Sequence, residues 1–292
     1  MANKAAYVMI LPVVVYYLLF CYKPMYGALI AFQNYSPRLG FWGSPWVGFE
    51  NFTKFFNSPD IGRIVKNTVK ISLTSLIFGF PAPIILALLI NEINSKPFKR
   101  VIQTTSYMPH FISLVVICGM VRNFVSTDGI ITNLFSVFGF EKSDMLTKAE
   151  LFVPIYVSTE IWQNIGWDSI IYLSALSAVD VAQYEAAEVD GAGRIKKMLY
   201  ITFPSILPTV LTMLILRTGQ IMNVGFEKII LLYNPVIYSS SDVISSYVYR
   251  LGFETQDWSY STAVGLFNSV INLLMVIMVN RVCKKTKGTG LW

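Results

Sequence analysis

The chain has 292 residues, of which 54% are hydrophobic and 14% are charged, and its formal net charge is +6. A soluble domain of this length forms a core without so large an apolar excess, so the composition indicates surface that faces lipid and excludes an ordinary soluble protein. Many of the basic residues flank apolar runs, which is where membrane proteins carry them, so no nucleic-acid partner is expected.

Six segments are long and apolar enough to cross a bilayer core of about 30 Å as helices. Pro81 and Pro83 should bend the second of them, and the fifth should be broken near Gly225. The sequence therefore predicts an all-α, polytopic membrane protein that forms a single transmembrane domain over residues 1–292. The six predicted spans cover residues 5–32, 68–90, 101–124, 152–178, 205–232 and 261–283.

A hydrophilic loop, residues 179–204, separates the fourth and fifth predicted spans. Asp180 can cap a short acidic helix, Gly191 follows an aspartate in a typical turn pair, and Pro204 is expected to begin the fifth span. This pattern predicts a helix, a turn and a second helix at the membrane surface. Such an element is suited to docking another protein, although composition alone also fits a plain connector.

The distribution of lysine and arginine predicts the orientation of the chain. Loops on the side of the hydrophilic loop carry more basic residues than those on the opposite side, and they are shorter and closer to the ends of spans. Lys228 counts among the basic residues of the opposite side. The hydrophilic loop and both termini are therefore expected to lie in the cytoplasm.

Several polar or amphipathic side chains lie inside the fourth and fifth predicted spans, where their burial is costly and usually serves function. An aromatic ring beside amides and a guanidinium suits a sugar, whose C–H faces stack on rings and whose hydroxyls form hydrogen bonds. The alternative is that Arg217 pairs with Glu160 or Asp168 only to hold helices together. The candidate solute-path residues are Glu160, Gln163, Asn164, Trp167, Arg217, Gln220 and Asn223.

Other kinds of site are not supported by the sequence. The phosphate-binding pattern G-x-x-x-x-G-K-[ST] is absent, so the chain itself is not expected to bind ATP. His110 is the single histidine, which excludes a multi-histidine metal site and leaves little material for a catalytic triad. It is interpreted as a packed residue near a helix start. Neither a metal nor a cofactor nor an enzymatic activity is expected of this chain.

The hydrophilic loop resembles the signature loop of the permeases of bacterial binding-protein-dependent ABC importers. The match rests on EAA at 185–187, Gly191, Ile201 and Pro204, with apolar Met198 and Phe203 as departures from the usual pattern. The run EIWQNIGWDSIIYLSALSAV at 160–179 is similar to the fourth core helix of carbohydrate-importing permeases. Residues 11–37 and 46–56 are similar to the first helix and outer loop of the polysaccharide-type subgroup, which includes the maltose-type permeases.

The resemblance implies a function and a set of partners. The chain would be the permease subunit of an ATP-driven importer of a saccharide, an oligosaccharide in particular, in the bacterial cytoplasmic membrane. A second, different permease subunit would pair with it, an extracellular solute-binding protein would deliver the saccharide, and two cytoplasmic ATPase subunits would bind ATP and magnesium. The short helix of the loop would be the coupling helix seated on the ATPase. The implied coupling residues are Glu185, Ala186, Ala187, Asp190, Gly191, Ile201 and Pro204.

Rival interpretations stay open from the sequence. A secondary transporter driven by protons or sodium would use carboxylates near the bilayer midplane, and Glu160 and Asp168 give it some support. However, the hydrophilic loop would have no role in a secondary transporter. An ABC permease for amino acids or ions would share the architecture. An intramembrane enzyme would need more catalytic side chains than one histidine allows.

Overall fold

A computed structural model describes residues 4–287 and 290–291 of the chain. These residues form helices and connecting turns without a strand, and Gln33 and Trp46 make an isolated β-bridge. The predicted all-α, polytopic class is therefore confirmed. The prediction that both termini are cytoplasmic falls partly on residues 1–3, 288–289 and 292, which lie outside the described residues, and it stays a prediction.

The chain divides into two compact units, and the single domain over residues 1–292 stays a prediction. The first unit comprises Met1–Ile64 and Ile244–Val270. Within it Phe55 is fully buried, and its ring lies 5.2 Å from that of Phe267. Its helical segments are Lys4–Tyr16, Tyr17–Tyr22, Lys23–Phe32, Gly40–Gly43, Glu50–Phe56, Ile244–Tyr249 and Arg250–Glu254, with parts of Ile61–Thr74 and Trp258–Lys287.

The second unit comprises Val65–Val243 and Ile271–Trp292 and contains both candidate sites. Its longest internal helix, Ala149–Ser177, buries Phe152, Tyr156 and Tyr172 against neighbouring helices. The other helical segments of this unit are Ser75–Gly79, Pro81–Asn91, Lys96–Tyr107, Met108–Phe111, Leu114–Val125, Ile130–Val137, Met145–Thr147, Val181–Val189, Arg194–Lys197, Met198–Thr202, Phe203–Thr218, Phe226–Leu232, Pro235–Ile237 and Tyr238–Ser241.

Five helices of the described residues are long and apolar enough to cross a membrane, or six if a bent pair is taken as one span. The bent pair consists of Ala149–Ser177 and Val181–Val189, which meet at 71°. With the bent pair taken as one span, the count is the predicted six. The five single helices are Tyr7–Phe32, Ile61–Asn91, Leu114–Val137, Arg194–Thr218 and Trp258–Lys285.

The prediction of a continuous third span over residues 101–124 is wrong. The helix Lys96–Tyr107 ends at a 3-10 turn, Met108–Phe111, and a new helix begins at Leu114, where the Ser113 hydroxyl accepts a hydrogen bond from the Val116 amide. The polar run QTTS at 103–106 lowers the hydropathy of the first half. The apolar helix that can span the membrane therefore starts later than predicted.

The fifth span begins earlier than predicted. A continuous helix runs from Arg194 to Thr218, so Pro204 lies inside it rather than at its start. A π-helical turn, Met198–Thr202, directly precedes this region, and the amide of Phe203 donates to the Met198 carbonyl. Proline has no amide hydrogen, and a widened turn is a common way to accommodate that loss.

The predicted break near Gly225 is confirmed, since the backbone is non-helical from 219 to 225. Side chains from neighbouring helices pair with the freed backbone groups. The Ser72 hydroxyl donates to the Ile221 carbonyl, and the Met222 amide donates to Asn272 Oδ1 at 3.0 Å. Non-helical backbone at membrane depth is tolerated only where it is buried in protein or lines a polar cavity. The break therefore marks the position of such a cavity.

The close crossing of two helices at Gly166 yields a prediction. A Cβ atom on Gly166 would clash with the Ser106 carbonyl oxygen, so Gly166→Ala must push the helix Lys96–Tyr107 away. Overpacking of this kind typically costs about 1–3 kcal/mol. We expect a lower thermal unfolding temperature in detergent. Gly119→Ala is the matched control, because no atom lies within 4 Å of its added Cβ, and equal melting of the two variants would contradict the crossing.

Candidate functional site

An ion pair between two predicted solute-path residues links the fourth and fifth spans. Arg217 Nη2 lies 2.6 Å from Glu160 Oε1, and the Ser75 hydroxyl donates to Glu160 Oε2 at 2.7 Å. The side chains of Arg217 and Glu160 are 45% and 22% exposed. A guanidinium carries five N–H donors, so one contact with a carboxylate leaves donors for a ligand. The pair can hold the helices together and still face solute.

Two adjoining cavities flank this ion pair, and Arg217 and Gln220 line both. The larger has a volume of about 350 Å³, within the usual range for small-molecule sites. The smaller, of about 90 Å³, is bounded by the Gly225 break. Besides Arg217 and Gln220, the polar or amphipathic residues at the smaller cavity are Ser72, Ser75, Tyr156, Glu160 and Asn223, and those at the larger are Trp167, Asp168 and Tyr172.

Most of the predicted path residues come together here. Gln163 and Asn164 are not among the residues that line either cavity. The amide of Asn164 is instead occupied, since Oδ1 lies 3.1 Å from His110 Nδ1 and Nδ2 donates to the Glu160 carbonyl. The cavity-lining members of the predicted set are Glu160, Trp167, Arg217, Gln220 and Asn223.

Sequence reasoning missed two polar partners. Ser75 fixes the Glu160 carboxylate, and Asn272 donates to Asn223 Oδ1 at 3.0 Å while accepting from the Met222 amide. The sequence signal for Ser75 was its spacing from Ser72, three residues away on one helical face.

Within residues 4–287 and 290–291, no three His, Cys, Asp or Glu side chains converge where a metal ion could bind.

Lys228 does not lie in an outer loop, although the comparison of lysine and arginine counts placed it on the side opposite the hydrophilic loop. It is buried in the second unit, and its ammonium donates to the Tyr156 carbonyl at 3.0 Å and lies 4.6 Å from the centre of the Tyr156 ring. Both contacts favour the cation, since carbonyl oxygens and ring faces are electron-rich. The residue therefore anchors the helix Phe226–Leu232 to Ala149–Ser177.

The hydrophilic loop folds as the predicted elbow of helix, turn and helix. The Asp180 carboxylate caps Val181–Val189 by accepting from the Ala182 amide at 3.0 Å. At the other end Gly191 has φ +72°, a left-handed conformation that glycine adopts without steric cost. The next helix begins at Arg194. The Asp180 cap and the turn at Gly191 therefore define the two helices of the elbow and the turn between them.

Two side-chain contacts brace the elbow internally. Lys197 Nζ lies 2.6 Å from Glu188 Oε1, and the Tyr184 hydroxyl lies 3.0 Å from the buried Thr202 hydroxyl. The hydrogen bond and the charge of Lys197 lower the pKa of Glu188. A lowered folded-state pKa means that the contact is fully present above the ordinary carboxyl pKa, about 4.3, and is lost as the pH falls through the lowered value. The ion pair therefore persists throughout the neutral range.

The outer face of the elbow combines exposed acidic and apolar side chains. Of the predicted coupling residues, Ala187 and Ile201 are half-buried. Val189, 89% exposed, and Ile195, 69% exposed, add an apolar surface that the predicted set did not include. The predicted coupling residues that are exposed are Glu185, Ala186, Asp190, Gly191 and Pro204.

A family model described as the binding-protein-dependent transport system inner membrane component matches residues 79–288. The matched region includes the whole elbow and those residues of the fourth and fifth spans that line the two cavities.

Two proteins of Bacillus subtilis (strain 168) are similar over almost the full chain. Protein LplB is 44% identical over 291 residues, which are 99% of this chain and 92% of that protein. The polygalacturonan/rhamnogalacturonan transport system permease protein YteP is 42% identical and covers 99% and 91% of the two chains.

A solved structure is equally similar. A chain of a bacterial alginate ABC transporter, in complex with an alginate pentasaccharide-bound periplasmic protein, superposes with a TM-score of 0.91 at 43% identity. The match covers 99% of this chain and 97% of that one. A chain of an amino acid ABC transporter matches with a TM-score of 0.52 at 16% identity, which shows a shared fold alone.

Proposed function

The chain belongs to the family of binding-protein-dependent transport system inner membrane components, and from this premise we propose that it is the permease subunit of an ATP-driven importer of oligosaccharides. Its role is therefore solute transport and not catalysis. The description of the family also places the chain in the inner membrane.

One structural observation carries the proposal: a single helix joins the elbow to the cavities. The continuous helix Arg194–Thr218 begins at the elbow turn and carries Arg217, which lines both cavities, at its other end. Helices are stiff, so a displacement of the elbow moves Arg217 and its ion pair with Glu160. Coupling of this kind needs a two-state element that both sites bias. An external motor bound at the elbow could thereby open and close the solute path.

The resemblance to binding-protein-dependent ABC importers implies the partners. Two cytoplasmic ATPase subunits would hold ATP and magnesium, and the elbow would be seated on the ATPase. A second permease subunit, of a different sequence, would complete the membrane path. An extracellular solute-binding protein would deliver the saccharide, as the periplasmic protein with its pentasaccharide accompanies the alginate transporter. The predicted cytoplasmic position of the elbow and of both termini belongs to the same proposal.

The transported saccharide is proposed to be acidic. Arg217 is 45% exposed beside both cavities, and a guanidinium fork matches a carboxylate. A similar chain, 43% identical, belongs to a transporter involved in the import of the acidic polysaccharide alginate. Trp167, 43% exposed, supplies a ring face for the sugar backbone.

Reconstitution in proteoliposomes tests the function. The chain is co-purified with its second permease and ATPases, and uptake of labelled acidic and neutral oligosaccharides is measured with the binding protein outside and ATP inside. We expect ATP-dependent uptake of the acidic oligosaccharide. Uptake that requires a proton or sodium gradient instead of ATP would show an ion-coupled transporter, and uptake of amino acids alone would contradict the saccharide.

A further inference from the structure

The single histidine lies in the irregular turn between two helices. His110 belongs to the 3-10 segment Met108–Phe111 that interrupts the predicted third span. Its ring is parallel to the indole of Trp167, with an interplanar angle of 4° and a centroid distance of 4.5 Å. Stacked aromatic pairs at such distances stabilise a structure beyond what their burial contributes. This stack links the turn to the fourth span.

A hydrogen-bond chain fixes the orientation of the histidine ring. Asn164 Nδ2 donates to the Glu160 carbonyl at 3.1 Å, which directs Oδ1 towards His110. The Nδ1 atom of His110, 3.1 Å from that oxygen, must therefore carry the hydrogen. Asn164 and Trp167 are three residues apart on one helix face, so the ring is held at its edge and across its face by the same helix.

Neither aromatic neighbour of Trp167 covers the far face of its indole. Phe111 meets both rings edge-on, with its centroid 5.8 Å from that of His110 and 5.6 Å from that of Trp167. Because these distances are nearly equal, Phe111 lies beside the stacked pair and not over the far side of the indole. The face opposite His110 is therefore covered by neither ring, and Trp167 is 43% exposed.

The exposed indole is part of the larger cavity. Trp167 lines it together with Asp168, Tyr172, Arg217 and Gln220, whereas His110 does not. A pyranose presents a flat C–H face and a rim of hydroxyls, so a ring platform surrounded by polar groups matches its chemistry. The cavity of about 350 Å³ is large enough for sugar-sized ligands.

We propose that His110 is a positioning residue that holds Trp167 as a stacking platform for a pyranose ring of the transported saccharide. The inference rests on the proposed transport function and assigns His110 a role beyond the packing predicted from the sequence. His110 does not touch solute; it acts by keeping the indole from rotating out of the cavity.

A matched pair of substitutions separates stacking from packing. His110→Phe keeps a flat ring, whereas His110→Leu fills a similar volume without one, and both lose the bond to Asn164. In the reconstituted importer we expect His110→Leu to lower saccharide uptake roughly three- to tenfold and His110→Phe to retain most of it, since a stacked pair is worth about that factor. In a Trp167→Ala background, His110→Leu should cause no additional loss.

Fluorescence gives a second readout that packing would not change. We expect saccharide to alter the tryptophan emission of the complex, and Trp167→Phe to remove most of that change. Equal uptake by His110→Leu and His110→Phe, an additive loss with Trp167→Ala, or an unchanged fluorescence response in Trp167→Phe would each overturn the platform. An importer without any ATP-dependent saccharide uptake before substitution would overturn the proposed function itself.

Discussion

Replacing Gly191 with proline is expected to abolish ATP-driven uptake while leaving the chain inserted in the membrane. Gly191 has φ +72°, and the ring of proline fixes φ near −65°. The substitution also removes the amide that donates to the Glu188 carbonyl at 3.0 Å. Together with the bond from the Ala192 amide to the Ala187 carbonyl, at 2.8 Å, this amide closes the end of Val181–Val189 as a Schellman motif. The elbow must therefore refold and change the face that the ATPase would contact.

Co-purification of the ATPase from detergent-solubilised membranes measures this effect. The ATPase should be recovered with the unsubstituted chain and lost with Gly191→Pro, while the amount of permease in the membrane stays unchanged. Gly193→Ala is the matched control in the same loop, because Gly193 has φ −70° and no atom within 4 Å of an added Cβ. Normal ATPase recovery with Gly191→Pro would show that the elbow is not the docking element.

Much of the elbow could be predicted from the sequence because its signals are local. An acidic cap at Asp180, a helix-forming run and a turn at Gly191 each act within a few residues, and the structure shows all three. The position of Pro204 was predicted wrongly for the same reason. A proline favours a helix start locally, but the π-helical turn Met198–Thr202 lets the helix continue past it.

The third span and the stacked pair could not be predicted in the same way. Hydropathy averaged over a window joined the polar run at 103–106 to the apolar residues beyond Leu114, although the helix ends at Tyr107. The stack of His110 on Trp167 depends on the crossing of two helices, which Gly166 permits by the absence of a side chain. A single sequence contains no direct record of such crossings.

The residues of the two polar cavities could be predicted from the sequence only in part. Among the solute-path candidates of the fourth span, Glu160 lines the smaller cavity and Trp167 lines the larger one, and the predicted break at Gly225 borders the smaller cavity. Gln163 and Asn164 lie near the same face of the fourth helix as Glu160 and Trp167. They do not line either cavity, because a helix face is wider than the opening it borders. The role of Ser75 in fixing Glu160 required knowledge of which helices are neighbours.

Replacing Arg217 with alanine is expected to reduce uptake of an anionic saccharide far more than uptake of a neutral one. A hydrogen bond to a charged group is worth about 1.5–3 kcal/mol, which corresponds to a loss of roughly ten- to a hundredfold for the anion. The substitution also leaves the Glu160 carboxylate, 2.6 Å from Arg217 in the intact chain, without its cation. That carboxylate then repels an anionic sugar and has no comparable effect on a neutral one.

Two further substitutions separate the charge of Arg217 from its structural role, with uptake rates of both saccharides compared in the same proteoliposomes. Glu160→Gln breaks the ion pair but retains the guanidinium, so a loss caused by loosened helices should affect both saccharides equally. Arg217→Lys keeps the charge but not the planar fork and should recover part of the anionic uptake. If Arg217→Ala reduces both saccharides by the same factor as Glu160→Gln, the arginine only holds the two helices together, and the preference for an acidic solute must come from the binding protein.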